Sequence, residues 1–309
     1  MSKLRRMNLS MPVISRPPRE VPLPTKLVVL FGSPLSQFGW VFFGFGMVFV
    51  WLFAANADWS SLFSFRGALE TAPGIITASE QTNASEGGGK RRKGVSNRRK
   101  STPIFAHQFK FSYGGAEYTG TSYCPSGGLR DNQTVTVEFP VGKPTVSRIC
   151  GMRRGVFGLG AAFVLIFPAV GLALALQGLF SGRKAIQLLA NGVMVQGLLT
   201  DKTATNTRVN KRPVMKLTFE FTDALGQLRQ AVLKTADTER LEDNPFERIF
   251  YDPQNPKSSV LLDALPGKQG FDGDGRLKAS GFGRAFGAIV LPIVAATVVA
   301  IGFWWKVFR

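Results

Sequence analysis

Apolar residues are distributed along this chain in two patterns, long uncharged runs and short alternating stretches. Runs at about residues 37–55, 155–180 and 285–305 carry no ionisable side chain. A helix rises about 1.5 Å per residue, so about 20 apolar residues cross a hydrocarbon core. Each run therefore predicts a transmembrane helix, the third drawn at 282–305 to include the small residues that lead into it. The first is rich in Phe and Trp, among them Trp40, Phe42, Phe43, Phe49 and Trp51. A weaker apolar stretch at 27–31 precedes it, cut off by Gly32, Ser33 and Pro34, and reads as interfacial. Ala55-Asn56-Ala57 fits a small-x-small cleavage pattern, but the run is too long and too bulky for a signal peptide. Pro168 falls inside the second run, and the pair Trp304 and Trp305 ends the third, at the depth where indole rings favour the headgroups.

The regions between the runs, 56–154 and 181–281, alternate polar and apolar residues with strand periodicity. Phe109-Lys-Phe111-Ser-Tyr113 turns at Gly114-Gly115 and resumes at Tyr118; Leu217-Thr-Phe219-Glu-Phe221 turns through Asp223 to Gly226 and resumes at Leu228. Both are hairpin signals. Leu129-Arg-Asp131-Asn132 matches Leu241-Glu-Asp243-Asn244 at a spacing of 112 residues, which also aligns Val135, Val137 and Phe139 with Glu247, Ile249 and Tyr251, and Pro144 with Pro256. Upstream, Gly74-Ile-Ile-Thr77 resembles Gly197-Leu-Leu-Thr200. The expected fold class is an α+β membrane protein: three transmembrane helices with two small antiparallel β domains between them, barrel-like or sandwich-like, each a copy of one repeated unit of about four to six strands. The first copy carries an insertion at 80–102, rich in Gly, Ser and Asn without hydrophobic periodicity, which is expected to be disordered.

Charge adds topology. The net charge is +18, and much of the excess lies in the tail at 1–36 and in the insertion, at Lys90, Arg91, Arg92, Lys93, Arg98, Arg99 and Lys100. Basic residues in such places read as orientation and as contact with anionic lipid before nucleic acid, for which no reading helix or stacking motif is evident. The basic tail points to a cytoplasmic N-terminus, the first β domain then lying outside, the second inside, and the short tail 306–309 outside. Cys124 and Cys150 both fall in the first β domain, where an oxidising compartment would permit a disulfide; two unrelated thiols are the equal alternative.

At Phe250-Tyr-Asp-Pro-Gln-Asn-Pro256 followed by Val260-Leu-Leu, with the strand at 213–221 and the turn Asp223-Ala-Leu-Gly226, the chain resembles bacterial membrane proteins carrying domain of unknown function 3592. The first copy keeps Pro144 but has Phe139-Pro-Val-Gly-Lys where the second has the Tyr-Asp-Pro motif. The resemblance implies a β domain bounded by spans in a bacterial inner membrane and implies no activity. Asp252, Pro253, Asn255 and Pro256 have a structural reading, a rigid turn after a strand.

Signals of catalysis are sparse. The single histidine, His107, reads as a residue flanking a strand without a partner to orient it. Gly87-Gly-Gly-Lys90 lacks the strand and helix of a phosphate loop. Asp237, Glu239, Glu242, Asp243 and Glu247 are interleaved with Arg240 and Arg248 and read as a solvated, ion-paired surface. The spans offer no ionisable line for transport, whereas Gly283-x-x-x-Gly287 and Gly171-x-x-x-Ala175 give small surfaces for helix packing. The expectation is a non-enzymatic multi-pass protein needing no cofactor or metal. Its β domains would bind protein partners, a second copy or lipid headgroups, as a subunit of an envelope assembly or as an accessory subunit of a membrane enzyme or transporter.

Overall fold

The computed structural model describes residues 14–87, 101–244 and 246–308. The protein is an α+β chain in which three helices are long and apolar enough to cross a membrane, at Pro34–Asn56, Leu159–Asn191 and Phe282–Val307. Two five-stranded antiparallel sheets lie between them in the chain. The fold divides into two compact units, residues 1–44 with 169–303 and residues 45–168 with 304–309.

The first unit begins with α1 (Leu23–Phe31) and the first half of α2 (Pro34–Leu52). The run at 27–31, expected to be interfacial, is the end of a helix whose Val28 and Val29 are buried. Val21 and Val29 join Leu188, Leu189, Phe250, Leu262, Leu265 and Leu277 in a core. Hydrophobic packing holds α1 there, and Thr25 adds a polar tie: its hydroxyl donates to Lys278 O at 3.1 Å and accepts from Ser280 N at 3.0 Å. The second span also differs from the expected 155–180. It opens with a 3-10 segment, Leu159–Leu165, and continues as α4 (Ile166–Asn191), so Pro168 stands in the first turn of α4 rather than mid-helix. There the missing N–H is tolerated. The helix outlasts its apolar run because Ala185, Leu188 and Leu189 recur at helical spacing and are buried on the β core. Arg19 closes its end, donating to Leu189 O at 3.1 Å and Gly192 O at 2.8 Å with its guanidinium 5.3 Å from the centre of the Phe250 ring.

The sheet of this unit comprises β6 (Val193–Val209), β7 (Arg212–Thr222), β8 (Leu228–Thr235), β9 (Phe246–Asp252) and β10 (Asn255–Leu261), ordered β10-β9-β6-β7-β8. It curls until its edges β8 and β10 approach each other, nearly closing a barrel. Leu217, Phe219, Phe221, Ile249 and Tyr251 fill its interior. α5 (Phe282–Val307) ends the unit, its Ala295 against Gly44.

The second unit holds the short helix α3 (Ser60–Phe63) and the strands β1 (Leu69–Gly87), β2 (Ser101–Tyr113), β3 (Ala116–Cys124), β4 (Thr134–Pro140) and β5 (Arg148–Ile149), ordered β3-β2-β1-β4-β5. Ile76, Phe109, Phe111, Val137 and Phe139 form its core. The 80–102 insertion is corrected here. Residues 80–87 and 101–102 are strand, paired from Glu80↔Ala106 to Gly87↔Ser101. Their side chains are mostly exposed, which is why no alternation revealed them.

The two sheets share one strand order and one register. Gly74 pairs with Val135 on one side and Phe111 on the other; Gly197 pairs with Glu247, and the adjoining Leu198 with Glu220. Each first strand breaks register at a Thr, between Ile76 and Ala78 and between Leu199 and Asp201. Such bulges bend a strand and help a small sheet curl.

Candidate lipid-facing cleft

The second unit contains a cleft of about 900 Å³. Phe45, Phe49 and Phe53 line it from α2 and the turn after it, one helical turn apart, so the spacing puts all three rings on one face. Their centroids are 4.9 and 6.2 Å apart, and Phe157 meets Phe53 at 5.2 Å. Phe163, Val164 and Phe167 line it from the start of the second span. The polar rim is Arg153 with Ser85, Glu86 and Gly87 at the tip of β1. Backbone geometry fixes Arg153, which exchanges two hydrogen bonds with Tyr123 at 2.7 and 3.1 Å. Its guanidinium donates to Glu86 Oε1 at 2.5 Å and to Val156 O at 3.2 Å. Its Nε–H is buried and has no acceptor among the described residues. An orphan donor of that kind costs free energy unless a ligand or water supplies an oxygen.

A second polar cluster lies beside this sheet. Arg148 donates to Glu138 Oε1 and to Ser61 Oγ, both at 2.6 Å, stands 3.9 Å from Asp58 Oδ2, and covers the Phe65 ring at 3.9 Å. Hydrogen bonds from Ser60 and Ser61 and the charge of Arg148 outweigh burial and hold the Asp58 carboxyl below its usual range. These partners are satisfied, so the cluster reads as the lock between α3 and the sheet.

His107 is not the unaccompanied flanking residue expected. It is fully buried in β2, 2.9 Å from Ser79 Oγ through Nδ1 and 3.5 Å from Cys124 Sγ through Nε2. Burial pulls its pKa down. It takes the register place that Leu217 holds in the other sheet. Cys124 and Cys150 carry free thiols, and the Cys124 thiol faces Ser126 O at 2.6 Å. Lys90, Arg91, Arg92, Lys93, Arg98, Arg99 and Lys100 fall outside the described residues.

In the first unit, Asp252, Pro253, Asn255 and Pro256 form the turn joining β9 to β10, with Asp252 Oδ1 accepting from Gln254 N at 2.9 Å. Gly171 and Ala175 stand where α4 crosses α2, so close that a Cβ at Gly171 would strike the Phe43 backbone. Gly283 and Gly287 face open space. Glu247, read from sequence as part of a solvated surface, is buried instead. Burial first, then the hydrogen bond and charge of Asp263 and the charge of Asp243, push its carboxyl up to about 8, with Arg248 opposing. The alternation Glu247, Ile249, Tyr251 carried that signal, since the other two face the core. Among the described residues, no group of three or more His, Cys, Asp or Glu is placed to hold a metal ion.

No family model matches the chain, and no curated protein matches it. Two chains of solved structures match. One belongs to a replication protein A heterotrimer bound to single-stranded DNA, 11% identical, with 63% of this chain covering 49% of that one at a TM-score of 0.15. A likeness at that score carries no argument about fold or partner.

Proposed function

We propose that the chain is a non-enzymatic multi-pass protein of the bacterial cytoplasmic membrane whose β modules bind protein partners. The observation that carries this reading is the outer face of the second sheet. Phe246, Leu198, Glu220 and Gln230 form one cross-strand row, so all four point to the same side. Val232 and Leu228 continue that side along β8 at alternate positions. Leu198, Leu228, Val232 and Phe246 are all exposed, Leu228 at 67%. Apolar side chains gathered on one exposed sheet face mark contact surfaces more often than scattered ones do.

Shared strand order, matched register and paired bulges support descent of both modules from one duplicated unit, of the kind the sequence resembles in domain of unknown function 3592. Basic residues support an N-terminus in the cytoplasm. Three spans put the N-terminal tail and the second module on one side, and 21 of the 38 Lys and Arg fall there. The test is purification of the full chain in mild detergent with mass spectrometry of co-eluting proteins. A partner is expected to accompany the wild type and to leave Leu228→Asp and Val232→Asp, with folding unchanged. A monomer that sustains full cellular function alone would refute the reading.

A further inference from the structure

The cleft in the second unit is the strongest unassigned feature, and its chemistry selects an occupant. Its apolar wall belongs to the ends of two membrane-spanning segments, Pro34–Asn56 and Leu159–Asn191. At that depth the competing solvent is hydrocarbon, and water gains little from a surface of Phe rings. The second span opens there as a 3-10 segment rather than as an α-helix. Irregular backbone at membrane depth is found where it is covered by protein or lines a cavity, and this stretch lines one. The volume of about 900 Å³ lies within the range of small-molecule sites, about 300–1,000 Å³. The polar end carries the Arg153 guanidinium, whose carboxylate partner among the described residues is Glu86, at the tip of β1. Guanidinium groups bind phosphate through paired N–H donors.

We propose that this cleft holds one phospholipid, an acyl chain against Phe45, Phe49 and Phe53 and the phosphate on the Arg153 guanidinium, where it competes with Glu86. The site would take an anionic lipid in preference to a zwitterionic one, because the positive group of a zwitterionic headgroup meets the like charge of Arg153 at the rim. The proposal is independent of what the second sheet binds.

Native mass spectrometry of the full chain in mild detergent, with phosphatidylglycerol and phosphatidylcholine supplied in equal amounts, tests it. The wild type is expected to keep one phospholipid per chain and to favour the anionic one at least five-fold. Gly160→Phe fills the cleft at a position where a Cβ meets nothing within 4 Å, and it should lower occupancy ten-fold or more. Ala161→Trp is the second filling variant, and circular dichroism checks that both fold. Arg153→Gln should retain lipid but lose the anionic preference. Glu86→Gln should raise that preference, an outcome that a purely structural ion pair would not give. Equal occupancy in wild type and in folded filling variants overturns the proposal. So does an absence of headgroup preference, or a photo-crosslinker at position 161 that captures a polypeptide instead of lipid.

Discussion

Among the described residues, His107 and Glu247 are buried side chains without a full ionic partner whose pKa values are shifted, and they make stability depend on pH with opposite sign. Burial lowers the His107 pKa, so the unfolded chain binds more protons below about 6.5 and stability is lost as pH falls through that region. No other imidazole exists to mask it. His107→Leu, which installs the residue found at the same register in the second sheet, should flatten the thermal midpoint of the first sheet against pH below 6.5. A slope that survives the substitution would reject the assignment. Glu247 behaves in reverse. Its folded pKa near 8 stands above the ordinary 4.5, so stability is present below 4.5 and is lost as pH rises towards 8. Glu247→Gln should therefore stabilise the second sheet at pH 8 by on the order of a few kcal/mol and change little at pH 4. Equal effects at both pH values would show that the carboxyl is not held neutral. Glu247 was legible in the strand alternation, but its partner Asp263 was not, because only the return along β10 brings residue 263 back beside β9. His107 was hidden by Pro103, a poor strand residue that made β2 read as if it began at Phe109.

Among elements, α1 and two of the membrane helices are tied by one side chain whose role follows from a proline. Pro292 lies inside α5 and has no N–H, so the carbonyl four residues earlier, Ala288 O, loses its helical partner. Gln37 of α2 supplies it, Nε2 donating to Ala288 O at 2.7 Å and to Phe31 O, at the end of α1, at 2.6 Å. One amide thus ties three helices where water is scarce and an unmet carbonyl is costly. Gln37→Leu should destabilise the helical unit by about 1–2 kcal/mol, and Pro292→Ala should restore much of it by returning the donor; denaturation of the four proteins in a mixed detergent reads the coupling. Additive effects would break the link. The uncharged runs made the spans plain in the sequence, yet their ends were not. α4 passes Arg183 and Lys184 without stopping because its buried face, Ala185, Leu188 and Leu189, continues at helical spacing after the hydropathy drops. The arm of β1 escaped notice for the opposite reason, having polar side chains on both faces. The cleft escaped with it, since Glu86 sits on that arm and Arg153 on an irregular segment.

At the scale of the whole molecule the proposed topology rests on parity and charge: in that proposal three crossings separate the two sheets, and the charge count favours a cytoplasmic N-terminus. The margin comes from basic residues at the span ends, Arg16, Arg19 and Lys26 before the first, Arg183 and Lys184 in the last turns of the second, Lys278 before the third and Arg284 in its first turn. Segments within about 15–20 residues of a span carry most of the orienting effect. Against them stand Arg148, Arg153 and Arg154, of which two are engaged in ion pairs with Glu138 and Glu86. Both free thiols can be replaced by serine to give a cysteine-free background. Single cysteines at the exposed positions Asp131, in the first sheet, and Asp274, after the second, then read the arrangement. Asp131→Cys should react with a membrane-impermeant maleimide in intact spheroplasts, and Asp274→Cys only after the membrane is opened. The reverse pattern would invert the orientation while keeping all three spans. Labelling of both from one side would be more damaging, since one of the three apolar helices would then fail to cross, and the cleft between span ends would lose the hydrocarbon surroundings from which its occupant was argued.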